Sequence, residues 1–343
     1  MTTTHGETIG WGVLAPGRIA RNFVKDLLLL PDARLVASGS RSLERAQAFA
    51  DEFGGRAHGS YAELVADPEV DVVYVASPHA FHEEHVMLAL DAGKAVLCEK
   101  AMTLDAASTQ RLFDAAAERG LFLMEAMWMA TNPLVRKVCA LLGTPEEPGP
   151  YGVPKQVHAD LGFVVDRDPS DRLLDPAQGG GALLDMGVYP LTFAHLVLGE
   201  PERVVGVGAL SERGIDLDVS IAGLYPHGAT AALSSSLTSN STRSATIATT
   251  TGSFELGRNF HSPTRVRWTA YDGKTELEGR WIELVPGEDE ALVGRGYGNE
   301  AMEVHRCLRA GATTSALVPP EQTVSLMRQM DDLLAQLGVR YDR

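Results

Sequence analysis

Short apolar runs alternate with segments of helical periodicity from residue 8 to about residue 129, which predicts a parallel sheet with crossover helices. The runs at 9–14, 34–38, 70–76, 95–98 and 121–124 read as strands, and the segments at 18–30, 43–53, 81–92 and 106–119 as helices. Gly54, Gly93 and Gly120 each follow a helical pattern, where a left-handed cap is expected, and Ser42 and Asp105 stand where two helices need N-caps. After a stretch at 143–154 dense in Gly and Pro the pattern changes. Longer β-rich stretches, alternating or rich in Thr and Ser, follow at 155–163, 204–210, 219–225, 229–237, 244–250 and 266–271. A second domain on a mostly antiparallel sheet is the economical reading. Helical patterns at 300–310 and 320–338 close the chain. The expected fold class is α/β: a parallel-sheet domain over 1–130, then an α+β domain over 131–343 whose last helices are free to pack back on the first.

Composition supports this division. A chain of 343 residues, 45% of them apolar, is too long for one ordinary core and has ample material for two. No uninterrupted run of about 18 apolar residues occurs, and residues 1–7 are polar, so neither export nor membrane insertion is expected. Cys98, Cys139 and Cys307 are odd in number and far apart, which suits a reducing cytoplasm rather than a disulfide framework. Asp and Glu outnumber Lys and Arg by 45 to 30, giving a net charge of -15 with no basic stripe to offset it. Nucleic acid is therefore not an expected partner.

The first chemistry lies where the opening strand runs into Gly12-Val13-Leu14-Ala15-Pro16-Gly17-Arg18-Ile19-Ala20. A strand must turn sharply there so that a helix N-terminus can face a pyrophosphate, and Gly12 and Gly17 are where the turn needs glycine. Ala15 replaces a further glycine of the usual pattern, Pro16 follows it, and Arg18 and Ile19 open the helix. Alone, the segment also fits any tight strand-to-helix turn. The second strand selects a cofactor. An NAD site calls for an acidic residue there to bind the ribose 2′-hydroxyl, but none occurs in 33–43. The strand ends instead in Gly39-Ser40-Arg41-Ser42, and Ser40 and Arg41 suit a 2′-phosphate. NADP is the expected cofactor and NAD the alternative, in which Arg41 merely caps a surface loop.

Two further segments fall at strand ends on the same sheet edge. One reads Ala76-Ser77-Pro78-His79-Ala80-Phe81-His82-Glu83-Glu84-His85. Zinc sites of the His-Glu-x-x-His type space their histidines by four; here the spacing is three, and no metal is expected. The other ends in Glu99-Lys100-Ala101, a charged pair closing a buried strand, which requires partners in a cleft.

Taken in order, these motifs resemble the glucose-fructose oxidoreductase / inositol dehydrogenase (Gfo/Idh/MocA) family, in particular its dimeric dihydrodiol dehydrogenase branch. The motifs are the glycine turn, Ser77-Pro78-His79 with His82, Ala92-Gly93-Lys94 leading to Glu99-Lys100, and Leu123-Met124-Glu125-Ala126-Met127-Trp128. Gly179 to Tyr189, then Gly296-Tyr297 with Glu300, complete them. The resemblance implies a Rossmann domain followed by an open-faced, mostly antiparallel sheet domain, with the active site between them and the sheet pairing subunits into a homodimer or higher oligomer. It implies that Lys100 is the active-site lysine, Tyr189 an acid/base and Asp185 its acidic neighbour. It places Ser77, Pro78, His79, His82, Glu99, Lys100, Trp128 and Tyr297 at the cofactor, and Trp128, Phe163, Arg172, Asp185 and Tyr189 at the substrate. The chain departs from the family pattern at Ala15-Pro16, at Ala101 where proline is usual, and at Met129-Ala130 after the tryptophan.

The implied chemistry is coherent. Interconverting a secondary alcohol and a ketone requires a group to take and return the hydroxyl proton. Free Lys and Tyr titrate near ~10, so each must be shifted to serve; a neighbouring ammonium lowers a phenol's pKa. Asp185 and Tyr189 are four apart, hence on one side of a helix. Tyr189 as a packed aromatic is the plainer alternative. The leading expectation is an NADP-dependent enzyme acting on a sugar, cyclitol or cyclic diol. The alternative is a non-catalytic NADP-binding sensor, which would need no Lys100 and Tyr189 pair.

Overall fold

The computed structural model describes residues 8–341; the polar N-terminus at 1–7 lies outside them. The chain divides into two compact units, one of Met1–Thr131 with Leu292–Met327, the other of Asn132–Ala291 with Arg328–Arg343. A boundary that gives all of 131–343 to the second unit is therefore not the structural one. The physical reason lies in Asp26, whose carboxylate accepts from the backbone N–H of Arg295 (2.7 Å) and Tyr297 (3.2 Å) and ties the returning chain to the first unit.

The first unit contains β1 (Ile9–Leu14), α1 (Arg18–Leu27), β2 (Ala33–Gly39), α2 (Leu43–Phe53), β3 (Arg56–His58) and α3 (Tyr61–Ala66). Next come β4 (Val72–Val75), α4 (His82–Asp91), β5 (Ala95–Glu99), α5 (Ala106–Arg119), β6 (Leu123–Ala126) and α6 (Trp128–Thr131). Six parallel strands pair in the order β3-β2-β1-β4-β5-β6, with the order reversing between β1 and β4. The periodicity misses the three-residue β3, the six-residue α3 and the four-residue α6, which are too short to show a period. α4 begins one residue later than expected because 79–81 form a 3-10 turn. Ser42 accepts from Arg45 N–H and Asp105 from Ser108 N–H as expected, and Gly120 is a left-handed cap; Gly54 and Gly93 also have positive φ, but Gly54, at ψ -172, lies outside the left-handed helical region.

The second unit holds α7 (Pro133–Leu141), β7 (Pro154–Gly162), α8 (Val188–Leu198), β8 (Arg203–Leu210), β9 (Asp216–Tyr225) and β10 (Ala229–Ser236). β11 (Ala245–Thr249), β12 (Gly252–Leu256), β13 (Val266–Asp272), β14 (Thr275–Glu276) and β15 (Arg280–Ile282) complete its sheet. The path β14-β13-β12-β11-β7-β10-β9-β8 is antiparallel except for the β7–β10 pair, and β15 adds to β13. Burial alternates along β9, β10 and β11, so one face is packed and the other, including Ser220, Ala222, Thr230, Ala232 and Thr246, is open. α8 packs on β7 and β10, and its apolar residues are buried nearly all round. The stretch Pro176–Leu198 is long and apolar enough by composition to cross a membrane, yet it is mostly buried within its unit. Two helices close the chain, α9 (Tyr297–Arg309) in the first unit and α10 (Pro320–Leu337), whose first turns belong to the first unit and the rest to the second.

Candidate active site

In the first unit the carboxyl ends of the central strands lie in register, Leu14 beside Gly39 and Val75, Val75 beside Cys98, and Glu99 beside Ala126. Every strand-end motif of that unit therefore opens on one edge, where open α/β sheets bind ligands.

At the β1–α1 turn, a side chain on Gly12 would come within 2.9 Å of a Val70 methyl, so packing excludes one. Ala15 adopts φ 64, the left-handed conformation that explains the usual glycine at this point. Gly17 differs from both: a methyl there would meet nothing closer than the Ala15 carbonyl oxygen at 3.8 Å. No side chain caps α1, and no acidic residue lies in its first turn. Gly17 and the exposed Arg18 thus leave open space before uncapped N–H groups, while Pro16 and Ile19 are half-buried beside it. This arrangement fits a pyrophosphate.

At the end of β2, the buried Ser40 hydroxyl accepts from Ser42 N–H at 3.2 Å. Arg41 is exposed, and its guanidinium donates to the Tyr61 hydroxyl. The Tyr61 ring stands edge-on to His85 at 4.6 Å, and His85 Nδ1 lies 2.9 Å from Ser77 Oγ. Burial holds His85 below the usual histidine range, and the Arg41 charge acts in the same direction. Arg41 is thereby linked through Tyr61 to His85 and Ser77.

The Lys100 turn is held from several sides. His79 Nε2 lies 3.2 Å from the Lys100 carbonyl oxygen; His82 Nδ1 lies 3.0 Å from that of Ala101 and its Nε2 2.7 Å from that of Ser77. Pro78 leads into the 3-10 turn that carries His79. The peptide between Lys100 and Ala101 is cis. Glu99 hydrogen-bonds the Tyr74 hydroxyl and accepts from Lys100 N–H at 3.2 Å. His82 and Glu99, expected at the cofactor, thus have their side chains turned inward. His82 is fully buried between backbone carbonyls, and Glu99 is committed to Tyr74. His79, His82 and His85 each face a protein oxygen, and among the described residues no three His, Cys, Asp or Glu gather as a metal site.

Trp128 and Tyr297 stack at 4.5 Å, and a side chain on Gly296 (φ 115) would come within 3.2 Å of the indole. Beneath them Glu300 is fully buried, and neither of its carboxyl oxygens has a hydrogen-bond partner. Burial, then the neighbouring Glu99 and Asp26, push its pKa well above its ordinary value.

In the second unit, Asp185 Oδ1 accepts from both terminal nitrogens of Arg172 at 3.1 Å. Residues Leu183–Gly187 form a π turn, so Asp185 and Tyr189 do not sit on one regular α-helix as their spacing suggests. Tyr189 is buried and packs its ring on His261 at 4.9 Å. His261 is held edge-on by Phe260, which packs against Phe193 of α8. Asp216 caps this segment by accepting from Leu183 N–H at 2.6 Å, and burial pushes its pKa up to about 7. Phe163 lies under the Arg243 guanidinium. Tyr61, Tyr74, Asp216 and His261 are not among the residues expected from sequence. Only Asp216 carries a signal, an acid opening an apolar strand.

Comparison with known proteins agrees with this geometry. The model described as "Oxidoreductase family, NAD-binding Rossmann fold" matches residues 9–127, and the GFO/IDH/MocA C-terminal domain matches residues 147–255. D-xylose 1-dehydrogenase (NADP(+)) of Hypocrea jecorina is 34% identical over 99% of this chain and 95% of its own. The chain belongs to the Gfo/Idh/MocA family. It is an oxidoreductase with a Rossmann domain and the family's C-terminal sheet domain. The trans-1,2-dihydrobenzene-1,2-diol dehydrogenase of Mus musculus, another relative, is 34% identical over 96% of this chain and 97% of its own. Among solved structures, a 3-ketoreductase from Actinomadura kijaniata in complex with NADP and TDP-benzene superposes with a TM-score of 0.82. It shares 26% identity and covers 96% of this chain and 98% of its own.

Proposed function

We propose that this oxidoreductase uses NADP to interconvert a secondary alcohol and a ketone on a sugar, cyclitol or cyclic diol, with Lys100 and Tyr189 as its acid/base groups. The observation that carries the cofactor is the end of β2, where no acid is present and Tyr61 aims Arg41. Gly17 and the uncapped α1 N-terminus would hold the pyrophosphate, and Arg41 with Ser40 the 2′-phosphate. When bound, the nicotinamide supplies the hydride chemistry. The chain's own groups hold and move the proton: the Tyr189 hydroxyl and the Lys100 ammonium donate toward a carbonyl oxygen, and in the reverse direction their deprotonated forms accept the proton of a hydroxyl. Asp185, paired with Arg172, offers a polar contact to substrate hydroxyls, and Trp128 and Phe163 offer ring faces. The names of the relatives support the substrate class: one acts on D-xylose with NADP, another on a cyclic diol. Solved variants of the ketoreductase carry alanine or glutamate for a lysine and phenylalanine for a tyrosine, in keeping with such a pair. We further propose a homodimer through the open face of the second sheet, in a reducing cytoplasm that suits three free cysteines.

The test is a screen of aldoses, inositols and cyclic diols, with the matching ketones, followed by nicotinamide absorbance with NADP and NAD. On the substrate found, Lys100→Met and Tyr189→Phe are each expected to lower kcat by roughly 10²–10⁴-fold. Full activity in both variants would exclude the assignment.

A further inference from the structure

We propose that Glu125 is a positioning residue for Lys100: from the adjacent strand end it anchors the Lys100–Met102 turn, and its charge governs how readily the lysine releases its proton. This inference rests on the acid/base reading of Lys100 given above.

The geometry lies within the first unit. β5 and β6 run in parallel with Cys98 beside Glu125, so Glu125 stands next to the strand end that carries Lys100. Glu125 is 2% exposed. Its Oε1 accepts from Met102 N–H at 3.1 Å, and its Oε2 accepts from the Thr323 hydroxyl at 3.0 Å. Glu99 grips the same turn through Lys100 N–H, but that carboxyl is shared with Tyr74 and lies close to Glu300. Two buried carboxyl groups therefore hold one short turn, and the lysine charge acts on Glu125.

An acceptor for one backbone N–H does not require a carboxylate, since an amide would serve at lower cost of burial. A carboxylate in this position does something an amide cannot: it can be charged or neutral beside Lys100. Burial raises the Glu125 pKa to about 7 despite opposing hydrogen bonds from Thr323 and Met102 and the Lys100 charge. The other ionisable groups that face it are Glu99, which opposes its ionisation, and the Cys98 thiol, whose own ionisation Glu125 opposes. Coupling between two sites is reciprocal, so ionised Glu125 favours the ammonium of Lys100 and neutral Glu125 favours its release.

The experiment uses the full chain without cofactor. Lys100 is labelled with an amine-acylating reagent across pH 6–11, and the extent is read by peptide mass spectrometry. Glu125→Gln keeps an acceptor and the volume but removes the charge; the midpoint of Lys100 labelling is expected to fall by about one pH unit. In turnover the pH profile of kcat should move with it, while KM for NADP changes less than about two-fold. Glu125→Asp, which keeps the charge, should restore most of the original midpoint. An unchanged midpoint in folded Glu125→Gln overturns the proposal. Should that variant not fold, Lys100→Met gives the second measurement: losing the lysine charge that favours ionised Glu125 should raise the pH at which the Glu125 carboxyl titrates, followed by 13C NMR of labelled glutamate. No movement there would overturn the proposal equally. Labelling is independent of catalysis, so a fully active Lys100→Met would dismiss the acid/base reading of the lysine without deciding this coupling.

Discussion

A methyl at position 17 would lie 3.8 Å from its nearest neighbour, with φ at -95, while one at position 12 would be forced to within 2.9 Å of Val70. The first glycine is not required by the protein's own packing, and the second is. Gly17→Ala is accordingly expected to cost less than about 1 kcal/mol of stability, the usual difference between glycine and alanine at an N-cap. It should weaken NADP binding by tenfold or more, because the added methyl occupies the approach of the phosphates. Chemical denaturation and fluorescence titration separate the two effects, and unaltered affinity would contradict a pyrophosphate at this turn. In the same titration Arg41→Ala should weaken NADP far more than NAD, since of the two cofactors only NADP carries a 2′-phosphate for the guanidinium to bind. Gly17 and Arg41 were legible in sequence because each is a local feature of one turn. Tyr61, which orients Arg41, was not, because it comes from α3, an element too short to predict.

The segment from Leu183 through α8 carries both Asp185 and Tyr189, and its conformation depends on one buried acid. Asp216 accepts the Leu183 N–H, and its other oxygen occupies the notch left by Gly181, where a methyl would lie 2.3 Å from it. Its pKa, raised by burial to about 7, fixes the sign of a pH effect. Between the unfolded value near 4 and about 7 the folded chain binds the proton more tightly, so stability from this group is full at acid pH and falls as pH rises, by up to about 1.4 kcal/mol per unit. Asp216→Asn should flatten that slope in urea denaturation at pH 5, 6.5 and 8. An undiminished slope would show that Asp216 is ionised throughout. Helical spacing placed Asp185 and Tyr189 together, but the π turn between them depends on Asp216, from a strand that starts some thirty residues later, and on Gly181, which admits it.

At the scale of the whole molecule, the open face of the second sheet offers small and polar residues across its central strands, with Ala232 beside Ala222 on one neighbour and His158 on the other. Such a face lets two sheets approach closely. Ala232→Arg places a long charged side chain at its middle and, on the proposal of a sheet-mediated dimer, is expected to give a monomer in sedimentation at micromolar concentration where the unaltered chain sediments as a dimer, with the fold intact by circular dichroism. A dimer that persisted would place the subunit contact elsewhere.

By itself the sequence marked the long strands and crossover helices of the first unit and six stretches of the second sheet, and its ordered motifs implied the Rossmann fold and the open sheet face; α7, the buried α8 and the short β3, α3, α6, β12, β14 and β15 carried no such mark. It also determined the strand-end positions of Gly12, Gly17, Arg41 and Lys100, because each depends on periodicity or on a turn of a few residues. Tertiary structure alone decided which side chains those positions use. His82 and Glu99 turn inward because backbone carbonyls and Tyr74 satisfy them at lower cost than solvent in a packed interior. Residues 292–327 join the first unit because Asp26 binds the returning backbone 269 positions later. Glu125 comes to hold the Met102 N–H because β5 and β6 run side by side with Cys98 opposite Glu125. Burial and long-range pairing set these outcomes, and neither leaves a local pattern in the chain.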